Sequence, residues 1–563
     1  MLKDYFINVT KDAIDKAIKL NKLGETKENT VELVCDTPKN RDFGDFAINV
    51  SSLARYAKMA PPVIAQTIAE YIEKKNFTVN TVAGFINFKL EKSFLNDIVV
   101  EILDKKENYL KTDIGKGEKV NIEYVSANPT GPFHIGHGRW AALGSALANI
   151  MKYCNYDVTQ EFYINDAGNQ INKLGKSLEI RVRQLKGEKI EMEEGLYPGE
   201  YLIDCAKRYI QDNKGLSYSD FAKQDMLKQQ KELLVKFRTY FDVFFSELTL
   251  YNDGEVEKCM DSLQKSGKIF KKDDAVWFKS SDYGDDQDRV LVKSDGKNTY
   301  LTADIAYHKN KFERGFNRLI NIWGADHHGY IPRMKAAMEA LGYDSSKLEI
   351  ILGQLVNLIQ NGEQQRMGKR KKMVTLDDLI EEVGVDATRF WMLMRSSDTT
   401  IDFDIDLAKS QTDKNPVFYV QYAHARACSI LRKAIEKRLD VDNKTELPPV
   451  LTKEEIDNFN KNASILELFD DISKESDEAI KNLVLKLEEG KALLSNAVKY
   501  RAPYMICKYL TELANLFHYF YNCTRVLSDN KKDSLMKLSL VNCFEIVMKT
   551  LLDLIGVEAV EKM

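Results

Sequence analysis

Apolar residues recur at helical spacing from the start of the chain. Phe6, Val9, Ala13, Ile14, Ala17 and Ile18 fall on one face and predict an amphipathic helix. A polar, turn-rich segment from Cys35 to Asp45 follows, and a second helix-like run is broken by Pro61-Pro62. Val82 to Leu90 alternates as a half-buried strand does. Residues 1–110 therefore read as a small α+β domain, and 111–119 as a polar, glycine-bearing linker.

The texture changes at Lys119. Val120 to Val125 alternates as a strand, and Ser126-Ala127-Asn128-Pro129-Thr130-Gly131-Pro132 then forms a turn that no helix or strand interior tolerates. Arg139 to Cys154 reads as a helix whose small residues (Ala141, Ala142, Gly144, Ala146, Ala148) permit close packing, and Val158 to Ile164 is strand-like again. Strand, turn, helix, strand is the opening unit of a parallel α/β sheet, which binds ligands at the carboxyl ends of its strands. From about 177 to 285 the pattern turns helical and charged, with Leu234, Phe237, Phe241 and Phe244 as one apolar stripe, and predicts a helical insertion. The sheet resumes with Arg289 to Val292, the Asp295-Gly296 turn and Leu319 to Gly324, so that 118–395 forms one α/β domain. Residues 396–563 are almost wholly helical apart from a loop at Pro448-Pro449, an all-α C-terminal domain.

Composition narrows the class less than pattern does. At 563 residues the chain is too long for one core. Lys+Arg (81) and Asp+Glu (85) nearly cancel, so bulk charge favours a metabolic enzyme without nucleic acid. An RNA partner would have to be met by local basic patches. The first residues lack a signal-peptide pattern, and no apolar stretch is long enough to span a bilayer. The eight cysteines are scattered and form no CxxC pair, which argues against disulfides and thiolate zinc sites and for the cytoplasm. Histidine is scarce, and four of the seven fall in two pairs: His134/His137 and His327/His328.

Four segments carry chemistry. His134 and His137, three apart at a helix start, point the same way at the positive end of the helix dipole. There they can hydrogen-bond phosphate oxygens, with Gly136 letting a planar base approach the backbone. A helical metal pair is more often spaced i, i+4, and no acid stands between these two. Arg366-Met367-Gly368-Lys369-Arg370-Lys371-Lys372 is a cationic loop suited to a departing pyrophosphate, or else a solvated charge run. Tyr300 and Asp304 lie one helical turn apart, and with Glu123 at the end of the first strand they offer two carboxylates and a phenol. Such a set matches a guanidinium's planar donor fork, which a lysine cannot fill. A buried carboxylate left without its partner costs on the order of 3–5 kcal/mol, enough to discriminate. In Trp323-Gly324-Ala325-Asp326-His327-His328 the two histidines, read as strand neighbours, point to opposite faces and do not share a metal.

His134-Ile135-Gly136-His137 after a strand and a proline turn resembles the HIGH motif of class I aminoacyl-tRNA synthetases. With the flanks from Glu123 to Arg139 it is similar to the arginyl-tRNA synthetases of bacterial type in particular. The resemblance runs nearly end to end and is weakest in the insertion and from about 430 to 495. It implies a Rossmann-like catalytic domain between an N-terminal tRNA-contacting domain and an all-α anticodon-binding bundle. It implies arginine, tRNA(Arg) and ATP with Mg2+ as substrates, no tightly bound cofactor or metal, no membrane, and a monomer. By the same resemblance His134, His137 and Lys369 are catalytic. His134, Gly136, His137, Gly324, Asp326, Met367 and Lys369 meet ATP. Glu123, Tyr300 and Asp304 hold the guanidinium, Ser126 and Asn128 the backbone groups of arginine, and His327 stands near its α-amino group where relatives use Gln. Arg366-Met367-Gly368-Lys369 stands for the KMSKS loop, with Arg for the first Lys and Gly for Ser. Phe162 to Gln170 resembles a segment beside the substrate pocket, without individual roles. Phe85 and Asn87 match a pair that touches the tRNA elbow and share a strand face, and Tyr422 and Arg426 fall in the anticodon-binding helices. Three other readings compete: another class I synthetase or a small-molecule adenylyltransferase, which has no use for two RNA-facing end domains; a catalytically dead RNA-binding paralogue, disfavoured by both histidines; and a metal hydrolase, which would carry tightly bound metal.

Overall fold

The computed structural model describes residues 2–24, 32–38, 40–364, 374–436, 438–439, 446–447, 451–469 and 472–563. Met367, Lys369 and Pro448-Pro449 lie outside the described residues. In the N-terminal region the Leu2–Lys19 helix forms as its apolar spacing predicts and buries Phe6, Ala13, Ile14 and Ala17. It packs with the Pro61–Glu70 helix against a four-stranded antiparallel sheet. Its strands β1 (Cys35–Asp36), β2 (Phe46–Asn49), β3 (Phe77–Val82) and β4 (Phe85–Leu90) run in the order β1-β2-β4-β3. Pro61 opens its helix rather than breaking one, because a first-turn position needs no amide hydrogen. The Val82–Leu90 alternation spans the end of one strand and all of the next. Ala83-Gly84, both at positive φ (50° and 87°), turns the chain between them.

The catalytic sheet is five parallel strands. β5 (Lys119–Glu123) lies between β6 (Asp157–Ile164) and β11 (Arg318–Gly324); β7 (Val243–Ser246) extends one edge and β12 (Leu348–Gly353) the other. The Ile135–Tyr153 helix crosses over from β5 to β6, and a Cβ on Gly144 would stand 2.2 Å from the Tyr124 ring, which is why a glycine lets helix and sheet approach so closely. Residues that connect to opposite sides of β5 diverge, so the ends of β5, β6 and β11 open a crevice at the point where strand order reverses.

The segment predicted as a helical insertion is more varied. The helices Asn169–Leu185, Tyr201–Gln211 and Tyr218–Lys236 are there, but β7 inside it belongs to the main sheet. Strands β8 (Ile269–Lys272), β9 (Ala275–Phe278) and β10 (Arg289–Val292) form a separate antiparallel sheet. Arg289 to Val292 is thus not the return of the catalytic sheet; that return comes at Arg318. Short apolar runs of four residues look alike whichever sheet they join.

The C-terminal helices Pro416–Ile435, Lys453–Lys461, Lys474–Lys499, Tyr504–Cys523 and Lys531–Leu554 share one apolar core with the catalytic domain. Buried arginines tie the joint. Arg389 donates to the carbonyls of Ile555 (3.0 Å) and Phe237 (2.8 Å) and to Ser145 Oγ (2.8 Å). Arg139 donates to four carbonyls, of Gln354, Leu355, Ser396 and Thr399. Among the described residues no helix is long and apolar enough to cross a membrane.

Candidate functional site

At the carboxyl end of β5 the backbone turns on itself. Ser126 N–H donates to Tyr124 O (3.0 Å) with Val125 at φ 70° and Ser126 at φ 40°. A β-branched residue seldom adopts this γ-turn conformation. The turn brings Ser126 Oγ back to donate to Glu123 Oε1 (2.9 Å) and to accept from Tyr163 N–H (3.2 Å).

The helix that follows starts at Ile135 with His134 as its cap. The two imidazoles stack with centroids 3.6 Å apart. His134 N–H donates to His137 Nδ1 (3.1 Å), which leaves the proton of a neutral His137 on Nε2 as an outward donor. Burial lowers both pKa values, and His137, with His134 as a like neighbour, falls to about 3. Both rings are therefore neutral donors near pH 7. A Cβ on Gly136 would lie 2.9 Å from His134 Cε1, so a glycine there leaves room for the stacked His134 ring. Thr375 bridges to His134, and Leu376 N–H donates to Phe133 O (2.9 Å), so the chain leaving the cationic segment is pinned beside the imidazoles.

These histidines and the acidic residues line one cavity of about 530 Å3. Glu123, Ser126, Asn128, His134, His137, Tyr300, Asp304, Gly324, Asp326 and His327 all face it. Asp326, His327 and His328 do not continue β11, as expected from sequence, but lie on a short 3-10 helix, Ala325–Tyr330, so strand alternation does not govern them. Asp326 and His327 are exposed at the rim, 3.6 Å apart.

Inside the cavity the charges are unequally matched. Glu123 Oε2 is ion-paired at 2.5 Å with Lys311, whose side chain is fully buried and also donates to Asn321 Oδ1 (3.2 Å). Beneath it Glu161 accepts from both arms of Arg314 (2.7 and 2.8 Å), from Tyr307 OH (2.6 Å) and from Asn121 (2.9 Å). Among the described residues Asp304 Oδ2 accepts only from a phenol, Tyr330 OH, at 2.6 Å. Burial raises Asp304 to about 6, with the Glu123 charge adding to the rise and Tyr330 opposing it. His308, kept neutral by burial at about 4, fixes the Asp304 backbone: its Nδ1–H donates to Asp304 O (2.7 Å), while Asn321 Nδ2–H donates to its Nε2 (2.6 Å).

A further carboxylate was not singled out in the sequence. Glu247, buried at the start of the Glu247–Asn252 helix just after β7, lines the same cavity. Burial and then the Asp304 charge raise it to about 7. Among the described residues neither Asp304 nor Glu247 has a cation within ion-pair distance. The Tyr163 phenol is buried beside them, and its hydroxyl opposes the rise at Glu247. Asp304 and Glu247 are thus the cavity carboxylates left without a cation among the described residues, and Glu123 is engaged by Lys311. No sequence signal marks Glu247; only its place after the Phe241/Phe244 stripe, once β7 is assigned to the main sheet, would have found it.

The residues expected to face RNA are spread over both ends. Phe85 is exposed, whereas Asn87, on the same strand face, is only 4% exposed. Tyr422 and Arg426 line a groove of about 840 Å3 with Arg432, Tyr521, Arg525 and Lys562. The Arg426 guanidinium lies 4.3 Å over the Tyr521 ring and 5.4 Å over Tyr422. Neighbouring residues of that helix face inward and hold the C-terminal segment: Gln421 donates to Glu558 O (2.9 Å), and His424 Nδ1 meets Val560 O (3.0 Å).

Comparison with known proteins agrees with this arrangement. Residues 8–90 match the arginyl tRNA synthetase N terminal domain, 98–402 the class I tRNA synthetase (R) catalytic domain, and 420–563 the DALR anticodon binding domain. The chain is 44% identical over 556 residues to arginine–tRNA ligase 1 of Halalkalibacterium halodurans, with 96% of each chain covered. It is 43% identical over 568 residues to the arginine–tRNA ligase of Desulforamulus reducens, covering 98% of this chain and 96% of the relative. Its fold is that of Thermus thermophilus arginyl-tRNA synthetase, at TM-score 0.73 and 21% identity, with 100% of both chains covered. An acid-lined slot beside paired imidazoles, carried on three matching domains, places the chain in the arginyl-tRNA synthetase family of class I aminoacyl-tRNA synthetases.

Proposed function

We propose that this cavity is where the enzyme, an arginine–tRNA ligase by family, joins arginine to ATP before passing it to tRNA(Arg). The observation that carries the reading is the single 530 Å3 cavity shared by Asp304 and Glu247 with His134 and His137. The arginine guanidinium lies against Asp304 and Glu247 with Tyr300 at the mouth, and its charge offsets the repulsion that Asp304 exerts on Glu247. Glu123, held by Lys311, and Ser126 shape the floor, and Asn128 and His327 face the α-amino end. A carboxylate oxygen of arginine attacks the α-phosphorus; its bond to the β-phosphate oxygen breaks, and pyrophosphate leaves. A terminal ribose hydroxyl of the tRNA then attacks the arginyl carbonyl and releases AMP.

No side chain acts as nucleophile. Rate comes from positioning and from donors aimed at developing charge. His134 and His137 donate from neutral rings to phosphate oxygens, Gly324 and Asp326 flank the ribose, and Mg2+ enters with ATP as its complex. Lys369, with Met367, meets the leaving pyrophosphate. Lys369 precedes Thr375 by six residue steps, at most about 22 Å of chain, and Thr375 is itself bridged to His134. Tyr422 and Arg426 offer a stacking face and a cation to unpaired anticodon bases, and Phe85 a ring to the tRNA elbow. The eight free cysteines suit a reducing, cytoplasmic setting, and the enzyme works as a monomer in this reading. A crystal structure with a non-hydrolysable arginyl-adenylate analogue tests the reading: the guanidinium belongs between Asp304 and Glu247, and a guanidinium elsewhere overturns it.

A further inference from the structure

Asp166, in the Phe162–Gln170 segment, has no partner in the cavity, yet it is buried and richly bonded. It sits two residues beyond the end of β6, whose last residue, Ile164, pairs with Ser246, the last of β7. That register sets its carboxylate against the start of the Glu247–Asn252 helix. Ser246 Oγ donates to both carboxylate oxygens (2.8 and 2.9 Å), and Leu248 N–H donates to Oδ1 (3.3 Å). Lys223 Nζ stands 3.5 Å from Oδ2 and anchors the carboxylate from the Tyr218–Lys236 helix. Ser246 occupies the cap position of the short helix, but its own side chain makes no capping bond; the cap comes from Asp166, across the sheet.

Both neighbours of Glu247 in sequence are therefore held by one carboxylate, while Glu247 itself makes no ion pair among the described residues and faces Asp304 across the cavity. The Asp304 and Asp166 charges disfavour an ionised Glu247, and only the Tyr163 phenol opposes them, so the direction of its side chain is set by the backbone held on either side. We infer that Asp166 is a positioning residue that clasps Ser246 and Leu248 so that Glu247 points into the arginine pocket. The inference rests on the reading of Glu247 as a guanidinium partner. It gives a role to the aspartate of a segment that sequence placed beside the pocket without assigning one.

The test is a double-mutant cycle in arginine-dependent ATP–pyrophosphate exchange, with tRNA present and thermal melting checked for each variant. Glu247→Gln alone raises the KM for arginine; if it does not, the reading of the pocket fails and the inference with it. Asp166→Ala raises the KM for arginine about tenfold, with kcat and the KM for ATP changed less than about twofold. Added to Glu247→Gln, Asp166→Ala raises the arginine KM no further, because the residue it positions is already neutralised. An additive double variant, an unchanged arginine KM in Asp166→Ala, or an equal rise in the KM for ATP overturns the inference while leaving Glu247 in place. If Asp166→Ala does not fold, Ser246→Ala is read instead: a rise of at least about threefold in the arginine KM supports the clasp, and no rise overturns it.

Discussion

The segment 119–154 and the segment 169–292 build the same cavity by opposite means. In the first, strand, turn and helix are contiguous, and Glu123, Ser126, His134 and His137 reach the pocket within fifteen residues of chain. Each does so for a local reason: strand end, γ-turn, helix cap and first turn. In the second, one residue, Glu247, reaches the pocket, and only because an edge strand far along a mostly helical segment joins the sheet next to β6. Chemistry set by adjacent backbone can be read from sequence; chemistry delivered by tertiary register cannot.

Variants from the two segments sharpen that contrast. His137→Ala removes a donor aimed at the phosphates and should lower the arginine-dependent exchange rate by about 100-fold to 1,000-fold. An unchanged rate would refute the role of the first segment. Asp304→Asn, on the helix that closes the pocket from the far side, should raise the arginine KM by on the order of 100-fold while leaving the KM for ATP near its starting value. Lys311→Met leaves Glu123 buried without its cation and should destabilise the protein by about 3–5 kcal/mol in urea denaturation, with Lys311→Met/Glu123→Leu recovering part of the loss. Tyr422→Ala, outside both segments, should weaken tRNA binding by about 1–3 kcal/mol without moving the arginine KM.

A further effect is expected in pH dependence. Asp304 and Glu247, raised to about 6 and about 7, are largely protonated below pH 6, and a guanidinium prefers them ionised. Arginine affinity should rise as pH climbs from about 5.5 to 7.5, by up to about tenfold per unit where a carboxyl titrates, with proton release on binding measurable by calorimetry in buffers of different ionisation enthalpy. Glu247→Gln should flatten the upper part of that rise.

Much of the architecture was legible because periodicity is local. The first helix, the opening strand–turn–helix–strand unit and the C-terminal helices all follow from spacing of apolar residues. The 169–292 segment was not, since the four-residue runs at 243–246 and 289–292 join different sheets for reasons that lie in their partners. In the site, the two histidines, Glu123, Tyr300 and Asp304 were found from motif and residue type. The buried Lys311 was missed because a lysine on a helix ordinarily faces water, and only the Glu123 carboxylate reached by its position makes it internal. The burial of Asn87 was not legible for the converse reason: strand alternation shows which residues share a face but not how exposed each one is.

The central claim is that one slot, made for a flat cation, opens onto the imidazoles that grip a triphosphate. ATP–pyrophosphate exchange with each of the twenty amino acids, with and without tRNA, tests it most directly. Arginine alone should support exchange in the wild-type protein, and Asp304→Asn should lose that exchange at arginine concentrations that saturate the wild type. Exchange with lysine approaching that with arginine, or an Asp304→Asn protein as active as wild type, would contradict it.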